Sequence, residues 1–166
     1  MKSALIIDGN YLNKYTHNTR IDMVQLKKVL EEDCGHKFRE AHYVCSKSVD
    51  AVPFRRFLRA SEPNGPRMRV HEHEKRTTDV NCNMCGHEIN YDIVGGIDVH
   101  ITVLAMKMYM NDSVDRIVLL AGSGNLEPLV TFLMDNGIEV VIVGDEGSVS
   151  TLLHPYVTKL LWLNVS

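Results

Sequence analysis

The segment AGSGNLEPLV, Ala121 to Val130, sets two neutral polar side chains, Ser123 and Asn125, between the apolar run RIVLL and the helix-like LEPLVTFLMDNG. A strand end followed by glycine and a helix start is where open α/β proteins carry their chemistry. Three readings fit: a loop that cradles phosphate, a plain turn with Asn125 as helix cap, or an acidic site whose acids are replaced. The phosphate cradle fits worst. A dinucleotide fingerprint needs glycine where Glu127 stands, and a P-loop needs Lys-Ser or Lys-Thr. Glu127 would also repel a phosphate seated at the helix start. Two carboxylates occupy comparable junctions. Asp8 ends the run SALIID before Gly9, and Asp98 opens IDVHITVLAM. Each has a plain alternative: a turn start for Asp8, and a dipole-favoured helix N-terminus for Asp98. A separate constellation is CNMCGH, Cys82 to His87. Cys-x-x-Cys-Gly spacing lets two thiolates face one ion, with the glycine freeing the turn.

These residues meet only if the elements between them alternate correctly. SALIID reads as a strand. RIDMVQLKKVLEEDCG carries helical spacing in Ile21, Val24, Leu26, Val29 and Leu30, with Gly35 as its stop. REAHYVCS reads as a second strand, and AVPFRRFLRA as a helix with Pro53 in its first turn. GGIDVHITVLAMKMYMND reads as a helix that is apolar nearly all round, and so buried. Strand RIVLL, helix LEPLVTFLMDNG, strand GIEVVIVG, a short helix in SVSTLLHPYV and a strand-like KLLWLNV complete the chain. Alternation of this kind predicts an α/β fold, a central, mostly parallel sheet covered on both faces. The C-terminal strand ends then share one edge. Asp8 and the Ser123–Asn125 loop should be neighbours there, with Asp98 on the same side.

Residues 61–95 break the alternation. Turn residues lead into RMRVHEHEK at period two and then the cysteine knuckle, which reads as a hairpin-like insertion within one domain spanning 1–166. That length suits a single core, and 45% hydrophobic with 23% charged residues is ordinary for a globular chain. The N-terminal apolar run is too short for a signal peptide and no later run suggests a membrane partner, so a cytoplasmic protein is expected. The four cysteines then read as thiols or metal ligands rather than structural disulfides. Oligomeric state is not legible at this level.

The motifs ALIIDGNYL, GGIDVHITVLAM and VLLAGSGNLEPLVTFLMDNGIEVVIVG, in that order, resemble the NYN domain, a PIN-like nuclease family. The family pattern is a strand ending Asp-x-x-Asn or Asp-Gly-x-Asn, a Lys-Gly-x-Asp-Val helix start, and a strand ending Ser-Gly-Asp-Ser-Asp-Phe-x-Pro-Leu-Val. The resemblance covers the chain apart from roughly residues 60 to 95. It implies a PIN-like three-layer sandwich with a Mg²⁺- or Mn²⁺-dependent site that hydrolyses RNA or single-stranded DNA. Asp8 and Asp98 are then the first two carboxylates, with Asn10 orienting Asp8 or the substrate. The remaining two acids fall on Ser123 and Asn125. With the loop read two residues shorter, Asn125 alone replaces an acid. Hard cations bind carboxylate oxygens, and an amide keeps the shape while losing the charge. The resemblance therefore implies a weakened site, through a natural replacement or an introduced Asp-to-Asn change, with a catalytically silent nucleic-acid-binding module as the alternative.

Two surface features would serve such a protein. Net charge is −3, so there is no general attraction to nucleic acid, yet seven of the 18 basic residues lie between Arg55 and Arg76. Arg55, Arg56, Arg59, Lys75 and Arg76 are candidate phosphate contacts; a solvated helix face and a charged edge strand are the plain alternative. Cys82 and Cys85 predict a structural Zn²⁺ that stiffens the insertion. His71 and His73, two apart on a strand, are the simplest remaining ligands; His87, Cys34, His36 and Cys45 are further candidates.

Overall fold

The computed structural model describes residues 1–16, 21–47, 51–74, 76–93 and 96–163. Six parallel strands form the central sheet: β1 (Ser3–Asp8), β2 (Glu40–Ser46), β3 (Arg69–His73), β6 (Arg116–Leu120), β7 (Glu139–Gly144) and β8 (Lys159–Trp162). Their spatial order is β3-β2-β1-β6-β7-β8. β4 (Arg76–Asn81) and β5 (Glu88–Ile93) pair only with each other, as an antiparallel hairpin. The inner strands are buried almost throughout. That is why SALIID, RIVLL and EVVIVG are runs of apolar residues rather than alternations: both sheet faces are covered.

The helices are α1 (Gly9–Tyr15), α2 (Met23–Cys34), α3 (Val52–Arg59), α4 (Ile97–Met110) and α5 (Glu127–Asp135). Chain order runs outward from β1 to β3, then returns to β6 on the other side of β1 and continues to β8. Right-handed crossovers consequently place α1, α2 and α3 on one face, and α4 and α5 on the other. The sheet reverses its direction of growth between β1 and β6. Crevices at such switch points, outside the strands' C-terminal ends, are where α/β sheets hold ligands.

Local chemistry accounts for the boundaries. Asp22 caps α2 by accepting from the Val24 and Gln25 amides, and Gly35 ends it at φ 81°. Helix α1, which has no clear sequence periodicity, is capped by Asp8 through the Tyr11 amide. Three expectations need correction. The period-two run at Arg69–His73 belongs not to the hairpin but to the main sheet, paired in register with His42–Ser46. Helix α4 is not buried all round: Ile97, Ile101, Leu104, Ala105 and Met108 face the core, while Val99, Val103 and Met110 are exposed. Asn125 does not cap a helix. Ser123 caps the single 3₁₀ turn Gly124–Leu126 that leads into α5.

Candidate active site

Three segments far apart in sequence meet at the switch point. β1 delivers Asp8 at its last position, where the strand turns into α1. Gly9 makes that turn possible, because a Cβ there would collide with the ring of Tyr43. α4 delivers Asp98 in its first turn, behind Gly96, whose φ of 98° suits glycine. β6 delivers Ala121 and Gly122, then Ser123 and Asn125. Gly122 also has no room for a Cβ, which would strike Tyr11. Tyr11 pins the far wall, its hydroxyl accepting from the Asp145 amide at 2.9 Å and lying 2.7 Å from Ser148 Oγ.

Asp8, Asn10, Asp98, Ser123 and Asn125 line one open cavity of about 630 Å³, together with Val99, Thr102 and Val103. The five polar residues the sequence nominated for this place are brought together. Asp98 Oδ2 accepts from Ser123 Oγ at 2.9 Å and from Asn125 Nδ2 at 3.2 Å, and the Asn125 amide donates to Ser123 Oγ at 3.2 Å. Ser123 and Asn125 therefore both act on Asp98. Asn10 Oδ1 accepts the Ser46 amide at 3.0 Å and ties the end of β2 to α1, while the Asn10 backbone amide hydrogen-bonds the Asp8 carboxylate.

Asp8 is buried, with 7% of its surface exposed. Burial, before any other cause, pushes its carboxyl up from 3.8 to about 6; the Tyr11 amide opposes the rise, and the charge of Asp98 adds to it. No described lysine or arginine lines the cavity to offset these two carboxylates. One cation that sequence reading missed is Lys14. It lines an adjoining hollow of about 240 Å³ with Asp8, Asn10 and Ser123. Its placement depends on α1, an element without a sequence signature beyond its Asp cap.

The described arginines of the basic cluster, Arg55, Arg56 and Arg59, do not line the site. Arg55 is buried, and its Nη1 lies 3.1 Å from Glu72 Oε2, without an aligned hydrogen bond. Arg59 Nη2 donates to Glu72 Oε1 at 3.0 Å. These two arginines neutralise one glutamate on the α3 side of the sheet. Arg56 is exposed on α3. Lys75 lies outside the described residues; Arg76 begins β4, and its side chain is likewise outside them.

His71 and His73 do not join Cys82 and Cys85. They extend a row of imidazoles under α4. His42 Nε2 lies 2.8 Å from Glu40 Oε1, and His42 Nδ1 lies 2.9 Å from His71 Nε2. His73 meets His100 of α4. With Glu40 accepting from His42 Nε2, the neutral His42 ring accepts at Nδ1, so His71 donates from Nε2. Burial chiefly, then neighbouring imidazoles, lowers His71 from 6.5 to about 4; His42 and His100 are also lowered, burial first. His42, His71 and His100 are therefore neutral at neutral pH. Among the described residues no three His, Cys, Asp or Glu side chains gather as metal ligands. Cys34 ends α2 and Cys45 is buried in β2, neither in a disulfide, and His36 bonds Ser3 Oγ.

A search of curated proteins gives no match. Among solved structures, the fold is similar to a protein of unknown function from Vibrio parahaemolyticus, at 20% identity and a TM-score of 0.69, covering 98% of this chain and 93% of that one. At that identity the likeness speaks for the fold alone. The NYN domain model matches residues 2–163, a span that runs through Asp8, Asp98 and the Ser123–Asn125 loop. With that match over nearly its whole length, the chain belongs to the NYN domain family.

Proposed function

We propose that this chain is a divalent-cation-dependent phosphodiester hydrolase acting on RNA or single-stranded DNA, slowed by the neutral residues at positions 123 and 125. NYN domains have a PIN-like nuclease fold, whose substrates are in general nucleic acids. The observation that carries the reading is the shared cavity of Asp8 and Asp98. Two carboxylates converge there without a described cationic side chain, and burial makes the charge on Asp8 costly. An all-oxygen donor set of this kind suits Mg²⁺ or Mn²⁺. It is sparse, because one oxygen of Asp98 already accepts two hydrogen bonds.

When bound, the ion supplies an acidified water and offsets charge on the phosphate. The chain's residues do the rest. The Tyr11 amide and the end of β1 hold Asp8 in place; Ser123 and Asn125 hold Asp98. Asn10 keeps the ends of β1 and β2 at fixed separation. Lys14, at the rim, meets a phosphate oxygen of the strand, and the exposed Val99 and Val103 give a base or sugar an apolar wall.

A second reading, a nucleic-acid-binding module without hydrolysis, draws on one specific observation: Ser123 and Asn125 donate to Asp98 instead of adding charge. One experiment separates the two. Cleavage of mixed single-stranded RNA and DNA with Mn²⁺ is compared for this chain, Asn125→Asp and Asp8→Asn. The proposal expects slow cleavage, a rise on the order of 10²-fold or more with Asn125→Asp, and none with Asp8→Asn. Equal, negligible activity in this chain and Asn125→Asp would establish the binding reading instead.

A further inference from the structure

The β4–β5 hairpin stands apart from the central sheet and ends in the cysteine knuckle. Its six cross-strand pairs run from Arg76↔Ile93 to Asn81↔Glu88, so Cys82 and Cys85 sit at the far tip. The knuckle's backbone is ordered for ligation. The Cys82 amide donates to the His87 carbonyl at 2.9 Å, and the Gly86 amide returns to the Cys82 carbonyl at 2.9 Å. Gly86 has φ 68°, the left-handed conformation that lets the chain turn back beneath two thiols. The backbone amides of Cys85 and Met84 are directed at the Cys82 sulfur. Amides directed at a sulfur stabilise a thiolate, the form that binds metal.

Tetrahedral zinc in a closed site takes four ligands, and this knuckle offers two. Among the described residues the other two do not gather at the pair, and the adjoining His87 meets Cys82 through its backbone carbonyl. No third Cys, His, Asp or Glu side chain joins the pair among the described residues. His71 and His73 are committed to the imidazole row, His36 to Ser3, and His154 packs against Trp162. The hairpin is incomplete in a second respect. Val80 and Ile89 form a cross-strand pair with 44% and 40% of their surfaces exposed, and Met84 at the tip is 96% exposed. An isolated two-stranded hairpin is marginal in water, and exposed apolar pairs leave it without the packing that would sustain it.

We infer that the hairpin tip is half of a zinc site, completed by the same knuckle of a second copy of this chain, so that Cys82 and Cys85 of both copies hold one Zn²⁺. A second copy supplies what is missing: two further thiolates, and another apolar hairpin face to cover Val80, Ile89 and Met84. A two-fold contact presents identical patches to each other, as self-association requires. On binding, four thiols release four protons and become the four ligands of one ion, with nothing oxidised or reduced. The inference is independent of the hydrolase reading, since none of these residues lines the cavity of Asp8 and Asp98.

The full chain, purified without chelator, is assayed together for zinc content and for mass by light scattering. One zinc per two chains is expected, with a mass twice the 18.8 kDa of the chain. Treatment with a chelator should return the mass to that of one chain, and added Zn²⁺ should restore the pair. Replacing zinc by Co²⁺ should give the near-ultraviolet absorption of a four-thiolate site. Cys85→Ser should lose both metal and pairing while keeping the far-ultraviolet circular dichroism of the parent; the chelated parent serves as the reference should the variant fold poorly. One zinc per monomeric chain, absence of zinc, a cobalt spectrum with nitrogen ligands, or a mass indifferent to chelator would each overturn the inference.

Discussion

Replacing Asp8 by asparagine should make the metal-free protein more stable at neutral pH, although it removes a residue central to the proposed chemistry. A carboxyl raised from 3.8 to about 6 costs the folded state about 3 kcal/mol when it is ionised. The sign follows from proton counts. Between pH 3.8 and 6 the native state holds a proton that the unfolded chain has released. Stability therefore falls as pH rises through that window, and the whole cost is present above it. Asparagine has no charge to desolvate, and its Oδ1 can accept the Tyr11 amide that Asp8 accepts at 3.0 Å. The gain should be about 1–3 kcal/mol, the lower part of the range allowing for an imperfectly paired amide group. In a domain of this length that is roughly 2–4 °C in Tm for each kcal/mol. Urea unfolding with chelator, compared between the two proteins at pH 4, 5 and 8, measures it. The difference should be smallest at pH 4 and full at pH 8. Excess Mn²⁺ should then reverse the order, since a thousandfold excess over Kd adds about 4.1 kcal/mol to the protein that binds it. An Asp8→Asn protein less stable than the parent at pH 8, or a difference that does not change with pH, would refute the assignment of Asp8 as a buried, uncompensated charge.

Other substitutions probe the neighbouring links. Asn125→Asp exchanges a donor to Asp98 for a third carboxylate, so it should destabilise the chelated protein and increase its stabilisation by Mn²⁺ in the same melting assay. Arg55→Ala should lower stability by about 1–3 kcal/mol, because a buried side chain and its ion pair with Glu72 are lost, whereas Arg56→Ala on the exposed side of α3 should leave unfolding unchanged. His71, lowered to about 4, declines a proton that the unfolded chain takes up near 6.5. Stability should therefore fall as pH drops from 6.5 to 4, and His71→Gln should flatten that slope in denaturation curves taken across the window.

The sequence by itself determined most of the scaffold and the polar composition of the site. Apolar runs in β1, β6 and β7 announce strands buried on both faces, and the Asp22 cap with the Gly35 stop brackets α2, because these signals are local. Strand alternation then obliges Asp8 and the Ser123–Asn125 loop to share one edge, wherever the rest of the chain goes. The knuckle is equally local, since its hydrogen bonds span only Cys82 to His87. What the tertiary structure alone decided is partnership. A period-two run such as RVHEH fits a hairpin or the edge of a large sheet equally well, and its pairing with β2 sends His71 and His73 to His42 and His100 and away from the cysteines. A row of arginines on a helix reads the same whether it faces phosphate or Glu72. Likewise the apolar residues of α4 do not reveal which of them the sheet covers; packing buries Ile101 and leaves Val99 and Val103 at the cavity. Backbone propensity and periodicity extend a few residues along the chain, while charge pairing, burial and ligand sets depend on contacts between residues tens of positions apart.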